Sequence, residues 1–463
     1  KSNLALFGGP KAVRSEPGDL FTWPIITEED EAAVLDVLRR GAMSGLDVTA
    51  KFEAEYAAWQ GSRYALGANN GTAALHAAMF ACGVGRGDEV ICPSLTYWAS
   101  AAPAFALGAT LVFAEVDPET LCLDPGDLEH RITPRTKAIV VVHYTAYPAD
   151  MDRIMAIARR RGVKVIEDVS HAHGALYKGR KVGTFGDVAC ASLMSGKALV
   201  AGEAGMLTTD DRALYDRAQA FGWYERNTAA KIETEALKPY LGLPLGGAKY
   251  RMNQLSAAVG RVQLKHYDAR MAEIQKALNR FWDLLEGVPG LKAHRPADPT
   301  STMGGWYSPH GLYRPEELGG LSITRFAAAV RAEGAPCSPG ANIPLHRHPL
   351  FNSCDVYGDG RPTRLANATR DVLQPEGSLP VTEGISARIY GIPWFKHDRP
   401  DVIAEYAEAY RKAALNYREL LAGDPGNPKQ LGGWNLTPRE AAPAAVTARS
   451  SNPSTQPSPG GRA

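Results

Sequence analysis

The sequence predicts an α/β fold with a mainly parallel central sheet in a large domain, followed by a smaller α+β domain. Short apolar segments rich in β-branched residues alternate with helical segments and are predicted as strands: 89–92, 110–115, 138–143 and 163–167. Continuous apolar strands of this kind are typical of parallel sheets that are covered by helices on both faces. The chain has 463 residues, which is enough for a large core and more than one domain.

The first half of the chain is predicted to contain an arm and then the large domain. Residues 1–25 contain several glycines and prolines and are predicted to form an N-terminal arm that lies on the body of the protein or on a partner. Thr27 and Asp30 have the spacing of a capping box, which predicts a helix start. Four helices are predicted in this half: 27–41, 51–60, 96–107 and 150–161. The large domain is predicted to span residues 26–265.

The second half begins with helical segments and ends in a segment of biased composition. One helix is predicted to end at Leu264, and a separate long helix over 266–286 is predicted to lead into the small domain, residues 266–422. Residues 423–463 are rich in Pro, Ser, Ala and Gly. Because such a composition buries little apolar surface, this tail is predicted to be disordered.

Charge and composition favour small-molecule chemistry. The chain has 51 Lys and Arg residues against 50 Asp and Glu residues, a formal net charge of +1, so no strong field is expected to attract nucleic acid or an anionic membrane. No apolar run is long enough to cross a bilayer, and the first residues do not resemble a signal peptide, so we expect a cytoplasmic protein. The six cysteines form no C-x-x-C pair, and no metal site is predicted.

Lys197 is the first candidate functional residue. It lies in a loop of small residues and glycines between predicted strands at 187–191 and 206–209. A lysine held in this way can attack an aldehyde to form a Schiff base when its amine loses a proton. An ordinary surface lysine beside a turn is the alternative.

Asp168 is the second candidate, at the end of the β-branched run 163–168. An acid at the carboxyl end of a buried parallel strand points into the crevice where α/β proteins bind ligands. A carboxylate there could keep a pyridine nitrogen protonated and so preserve the ring of pyridoxal phosphate as an electron sink. The alternative is a helix N-cap after the strand.

The third candidate feature is the helix start at Asn70, Gly71 and Thr72, before an alanine-rich segment. A helix start offers free backbone N–H groups to an anion, and here the Thr72 hydroxyl is added to them. An amine, a carboxylate and a phosphate site are the three features that pyridoxal phosphate needs from a protein.

Four segments together resemble the DegT/DnrJ/EryC1/StrS family of fold-type I, pyridoxal-phosphate-dependent aminotransferases that act on sugar and cyclitol ketones. The segments are 70–75, 93–97, 167–175 and 196–205. The resemblance runs in order from about residue 3 to about residue 421. The segment 8–13 and His171 are most similar to the branch that contains glutamine:scyllo-inosose and 2-deoxy-scyllo-inosose aminotransferases and 3-amino-5-hydroxybenzoate synthases.

The resemblance implies a pyridoxal phosphate site and a role for each of its residues. Lys197 would bond to the coenzyme aldehyde and Asp168 would pair with the pyridinium nitrogen. The remaining implied contacts are Tyr97 stacked on the ring, His171 near the ring hydroxyl, and Gly71, Thr72 and Ser192 on the phosphate. The resemblance also implies ping-pong transfer of an amino group from L-glutamine or L-glutamate to a sugar or cyclitol ketone, in amino-sugar or secondary-metabolite biosynthesis such as that of antibiotics.

The resemblance further implies a homodimer with shared active sites. In the family, the segment around 246–252 reaches the neighbouring subunit's cofactor, usually with Asn before Tyr-Arg. Here Lys249 stands at that position, and a cation could pair with the phosphate. A solvated lysine is the alternative. His143 and Tyr144, after a predicted strand, and His346, in the loop 344–351, are candidate substrate contacts.

Other functions remain open at this point. An aromatising dehydratase of the 3-amino-5-hydroxybenzoate synthase type would use the same lysine and cofactor. A ketosugar dehydratase of the family would have histidine in place of Lys197. A nicotinamide dehydrogenase is disfavoured because no G-x-G-x-x-G motif follows a strand. A cofactor-binding protein without catalytic activity is the fourth alternative.

Overall fold

The computed structural model describes residues 2–433. Its strands are β1 Tyr64–Ala68, β2 Glu89–Pro93, β3 Thr110–Ala114, β4 Thr136–Val142, β5 Lys164–Asp168, β6 Leu176–Tyr177, β7 Arg180–Lys181, β8 Val188–Ser192, β9 Gly205–Thr209, β10 Leu291–Ala293, β11 His310–Tyr313, β12 Ser338–Pro339 and β13 Ile389–Gly391. Its α-helices are α1 Glu28–Arg39, α2 Asp47–Gln60, α3 Gly71–Ala81, α4 Pro103–Ala106, α5 Pro125–Arg131, α6 Met151–Arg161, α7 Arg212–Gly222, α8 Gln254–Leu284, α9 Ile323–Ala332, α10 Pro349–Asn352, α11 Thr363–Ala366, α12 Pro380–Gly384, α13 Pro400–Leu415 and α14 Tyr417–Leu421.

The large sheet has seven strands in the order β1-β9-β8-β5-β4-β2-β3. Strands β8, β5, β4, β2 and β3 are parallel to one another, whereas β9 is antiparallel to both β8 and β1. The interior strands β2, β4 and β5 are almost wholly buried, as their apolar, β-branched sequences require. The prediction of a mainly parallel central sheet is therefore confirmed.

Two of the predicted helices show where local sequence decides structure. Helix α1 begins at the predicted capping box, in which Thr27 and Asp30 satisfy each other's backbone N–H groups. The predicted helix over 96–107 is wrong, because the structure has one 3-10 turn at Trp98–Ser100 and then the short α4. Pro103 has no N–H to donate to the preceding turn, so the helical hydrogen-bond pattern is interrupted there and α4 starts at Pro103.

Helix α8 is one continuous helix and not the two that were predicted to meet near residue 265. No proline or glycine interrupts residues 261–284, so nothing in this stretch ends the helix. Leu264 and Tyr267 belong to the core beneath the large sheet, whereas Ile274 and Phe281 belong to the second core. The same helix therefore contributes to both cores.

The second core is built on a four-stranded antiparallel sheet in the order β10-β11-β13-β12, with α9 and α13 packed nearby. This is the smaller α+β unit that was predicted. The N-terminal arm lies on it: Leu4 and Leu20 are fully buried in this core, and the Glu333 carboxylate accepts hydrogen bonds from the backbone N–H groups of Ala5 and Ala12.

The predicted domain limits stay predictions. Beyond residue 422 the chain still contacts the small unit, since Asp424 accepts hydrogen bonds from the backbone N–H and hydroxyl of Ser322. The rest of the predicted tail, 434–463, lies outside the described residues. Within residues 2–433, no helix has both the length and the apolar run that crossing a bilayer would require.

Candidate active site

The carboxyl ends of β2, β4, β5 and β8 lie at the same edge of the large sheet, because these strands are parallel. Asp168 is the last residue of β5 and Ser192 is the last residue of β8. The loops after these two strands are joined by a hydrogen bond of 2.9 Å from the Ser192 N–H to the Ser170 hydroxyl. Most of the residues that the sequence singled out lie along this edge.

Lys197 lies in the loop after β8 with only 9% of its surface exposed. Its Nζ is 4.2 Å from the centre of the Tyr307 ring. The backbone of the loop is held from two sides, because the Lys197 N–H donates to the Met194 carbonyl and the Trp23 indole N–H donates to the Lys197 carbonyl at 2.8 Å. The amine is therefore presented from a fixed backbone within a mostly buried site.

Asp168 is 5% exposed, and its carboxylate oxygens are both hydrogen-bonded. The Ser100 hydroxyl donates to Oδ2 at 2.7 Å, and the Ser170 N–H donates to Oδ1 at 3.0 Å. Ser100 is in turn 3.0 Å from the Thr96 hydroxyl, in the loop after β2. These two hydrogen bonds fix the direction of the carboxylate, which can therefore present its oxygens to a ligand.

A candidate anion site lies where α3 packs against the end of β8. A Cβ added to Gly71 would lie 2.8 Å from Ser192 Cβ, so glycine is needed for this close approach. The Asn70 side chain caps the helix by accepting from the Ala73 N–H at 2.8 Å. The N–H groups of Gly71 and Thr72 are in the first turn, where the helix itself provides no acceptor. They can bind a phosphate beside Ser192.

His171 lies on the other side of the candidate site, between aromatic rings. Its ring centre is 4.6 Å from that of Tyr307 and 5.5 Å from that of Tyr144. Burial, with the nearby Lys197 charge, holds the pKa of His171 well below its ordinary value, so the ring is neutral. Because Nδ1 accepts from the Thr145 N–H at 3.3 Å, the proton is assigned to Nε2, which can donate to a ligand oxygen.

Tyr97 and Lys249 are more exposed than the residues above. Tyr97 follows β2 and is 37% exposed, with its ring beside Trp98. Lys249 is exposed, while its neighbour Tyr250 accepts a hydrogen bond from the Asn69 N–H and donates one to the Gly222 carbonyl. The segment that carries Lys249 therefore borders the start of α3 in the same chain.

Of the three candidate substrate contacts, only Tyr144 has its ring in contact with the site. Its hydroxyl donates to the Asn342 side chain at 2.6 Å, and its ring packs near His171. The structure does not favour the other two as substrate contacts, because both side chains are fully buried and both ring nitrogens of each are engaged. His143 bonds Glu167 and the Ala149 N–H, and His346 bonds Ser94 and Glu383.

Sequence reasoning missed four residues that shape the site: Trp23, Ser100, Ser170 and Tyr307. Ser100 and Ser170 hydrogen-bond to the candidate groups, Trp23 holds the Lys197 backbone, and Tyr307 contacts the Lys197 amine. Ser170 was within the recognised segment 167–175 and could have been chosen as a hydroxyl beside Asp168. Neither Trp23 nor Tyr307 has a local pattern that indicates its partner.

Gly205→Ala is expected to lower the free energy of unfolding by about 1–3 kcal/mol and to weaken phosphate binding. The added Cβ would lie 2.7 Å from Gly71 N and would push the start of α3 away from β9. Urea unfolding and coenzyme titration would measure the two effects. Gly384→Ala is the control, because its Cβ has no neighbour within 4 Å and its φ is −77°. Equal stability of the two variants would contradict the close packing at Gly205.

Comparison with known proteins agrees with this geometry. The model of the DegT/DnrJ/EryC1/StrS aminotransferase family matches residues 24–397. The L-glutamine:2-deoxy-scyllo-inosose aminotransferase of Streptomyces kanamyceticus is 37% identical over 452 residues, which cover 91% of this chain and 99% of that protein. The structure of an aminotransferase from Psychrobacter cryohalolentis has a TM-score of 0.75 at 30% identity, with 86% of this chain and 99% of that chain covered. S. venezuelae DesV, solved in complex with a ketimine intermediate, has a TM-score of 0.68 at 31% identity, with 84% and 94% covered.

Proposed function

Because the chain belongs to the DegT/DnrJ/EryC1/StrS aminotransferase family, we propose that it uses pyridoxal phosphate to move an amino group from L-glutamine or L-glutamate to a ketone of a sugar or cyclitol. One observation carries the proposal. Lys197 and Asp168 are both largely buried at one edge of the sheet, Asp168 at the end of β5 and Lys197 in the loop after the neighbouring strand β8. An amine and a carboxylate in such a site are what an aldehyde coenzyme with a pyridine ring requires.

The residues present fit pyridoxal phosphate. Gly71 and Thr72 offer N–H groups for the phosphate, and the close packing of Gly71 on Ser192 leaves the first turn of α3 facing the loop after β8. Asp168 is ionisable and fixed by two hydrogen bonds, which suits the pyridinium nitrogen. When bound, the coenzyme supplies an aldehyde for the amine and a ring that takes up the electron pair of the substrate carbon.

The chain's own groups then have separate tasks. Lys197 would hold the coenzyme through its amine, and the same amine, when it is not bonded, would move the proton at the substrate α-carbon. Asp168 would pair with the ring nitrogen, where a carboxylate favours the protonated form. Neutral His171 would donate a hydrogen bond from Nε2 to an oxygen of the bound group. The low exposure of Lys197 and Asp168 excludes water from the reacting atoms.

The donor and acceptor classes rest on the similarity to the glutamine:inosose aminotransferase. The test is to incubate the purified chain and pyridoxal phosphate with glutamine and a panel of keto-cyclitols, nucleotide-linked ketosugars and aminodehydroshikimate. We expect glutamine-dependent amination of one keto-cyclitol or ketosugar, followed by mass spectrometry of the product. Aromatisation of aminodehydroshikimate without amino transfer would instead indicate the dehydratase alternative. A chain that captures the coenzyme but aminates no ketone of the panel would contradict the proposed acceptor class.

The proposed active enzyme is a homodimer in which Lys249 of one subunit serves the phosphate of the other. The exposed position of Lys249, on a segment that borders α3, supports this proposal. Lys249→Met is expected to weaken coenzyme binding by about 10-fold, because a charge-assisted contact with the phosphate is lost. Sedimentation of the wild-type chain would establish the oligomeric state.

A mixture of the Lys197→Ala variant, which cannot bond to the coenzyme, and the Lys249→Met variant, which binds it weakly, would show which subunit supplies Lys249. In heterodimers of Lys197→Ala and Lys249→Met chains, one site would carry neither substitution if Lys249 acts across the interface. At limiting coenzyme, we expect the mixture to recover activity in about a quarter of all sites. No recovery, with heterodimers demonstrated, would contradict the shared site.

A further inference from the structure

Tyr307 contacts the two groups of the site that are expected to exchange protons with ligands. Its ring centre is 4.2 Å from Lys197 Nζ and 4.6 Å from the His171 ring centre. A third neighbour, Trp394, packs edge-on against it at 5.7 Å. The ring of Tyr307 is therefore in contact with the amine of Lys197.

The backbone on either side of Tyr307 is held in an uncommon conformation. Trp306 has a φ of 52° and Ser308 has a φ of 50°, in the left-handed region that side chains other than glycine rarely adopt. The Trp306 side chain is buried, and the Trp306 backbone N–H donates to the Met303 carbonyl at 3.0 Å. The Ile392 N–H donates to the Pro309 carbonyl at 3.0 Å and fixes the other end of the segment. Such strain persists only where packing determines it, and it is concentrated at functional sites.

The loop of Tyr307 is also packed directly on the loop of Lys197. A Cβ added to Gly305 would lie 2.5 Å from Ala198 Cβ, so the two backbones are as close as glycine allows. The Trp394 indole donates to the Gly305 carbonyl at 3.0 Å, and the Trp23 indole donates to the Lys197 carbonyl at 2.8 Å. The separation of the ring and the amine is thus set by backbone contacts on both sides.

We propose that Tyr307 is a positioning residue whose ring face holds the free amine of Lys197, so that the amine stays beside the substrate carbon whenever it is not bonded to the coenzyme. The inference rests on the proposed function, in which the donor amino acid releases this amine. Once the amine has taken up the substrate proton it is a cation, and a cation over an aromatic face is attracted by the ring quadrupole, more strongly in a mostly buried site. Without the ring, the flexible lysine side chain would sample many rotamers. The face of the ring carries this role, and the hydroxyl does not.

The position of the amine can be observed without any turnover. The experiment is an NMR spectrum of the full chain without coenzyme, labelled with 13C at lysine Cε. Protons that lie above an aromatic face are shifted upfield by the ring current. Lys396 lies over the Trp394 ring and Lys181 lies over the Trp59 ring, so these lysines should also give shifted Cε cross-peaks. The Lys197 cross-peak is therefore identified as the shifted peak that is missing in Lys197→Arg. We expect this peak to stay shifted in Tyr307→Phe and to move to the ordinary lysine region in Tyr307→Leu. Tyr307→Met serves the same purpose if the leucine variant does not fold. Persistence of the shifted Lys197 peak in the folded leucine or methionine variant would overturn the inference.

The second readout is the half-reaction of the loaded enzyme with glutamine. Tyr307→Leu is expected to slow proton transfer by about 10-fold and to raise the isotope effect of α-deuterated glutamine, whereas Tyr307→Phe should stay close to the wild type. A rate in Tyr307→Leu equal to the wild type would overturn the inference. Covalent capture of the coenzyme by the wild type separates the two proposals. If capture itself is absent, the proposed function fails, and if capture is present but the variants behave alike, only the role of Tyr307 fails.

Discussion

Lys197→Ala is expected to bind pyridoxal phosphate without a covalent bond and to lose amino transfer by about 10²- to 10⁴-fold. The substitution removes both the nucleophile for the aldehyde and the base for the substrate proton. The phosphate site at α3 and the carboxylate of Asp168 are left in place, so some binding should remain. Borohydride reduction followed by peptide mass spectrometry would locate the covalent bond in the wild type and show its loss in the variant.

Two further variants make this test specific. Lys197→Arg retains a cation near Tyr307 but cannot form the covalent bond, so it should be as inactive as the alanine variant. Lys164 pairs with Asp187 and is the first residue of β5, at the end of the strand opposite to Asp168. Lys164→Ala should therefore capture the coenzyme as the wild type does. A borohydride-stable coenzyme adduct on any other lysine of Lys197→Ala, with turnover retained, would contradict the assignment.

Asp168→Asn is expected to lower kcat/KM by about 10²- to 10³-fold while leaving the fold intact. The amide has nearly the shape of the carboxylate but lacks its charge, so the pyridine nitrogen would no longer be held protonated. Steady-state kinetics and the absorption spectrum of the bound coenzyme would measure the loss.

Ser100→Ala is the matched control for the Asp168 variant. It removes one hydrogen bond to the carboxylate, at 2.7 Å, but keeps the charge. Its effect should be about 10-fold, since the loss of one hydrogen bond to a charged group costs about 1.5 kcal/mol when the Ser170 N–H still holds the other oxygen. If Asp168→Asn were no worse than Ser100→Ala, the carboxylate would not have the role that we assign to it.

The parts of this molecule that were predictable are those that depend on neighbouring residues in the sequence. Asp168 at the end of a β-branched strand, the small-residue loop of Lys197 and the helix start at Gly71 all have local signals, and the parallel order of the strands brings them to one edge. The capping box of α1 is another local signal that the structure confirms.

The parts that were not predictable depend on tertiary packing. Tyr307 reaches Lys197 through a segment with positive φ at two residues that are not glycine, which sequence propensities disfavour. His143 and His346 have the polarity of ligand contacts, yet each is buried with both nitrogens bonded, and burial depends on chain segments distant in sequence. The continuity of α8 was missed because a domain boundary was assumed to require a break in the helix.

The continuity of α8 has a consequence for chimeric enzymes. A crossover between two homologous genes at codon 265 would take the two parts of this helix from different parents. Leu264 and Tyr267 pack in the same core but would then come from different proteins. Hybrids intended to exchange acceptor preference should therefore inherit residues 254–284 from a single parent.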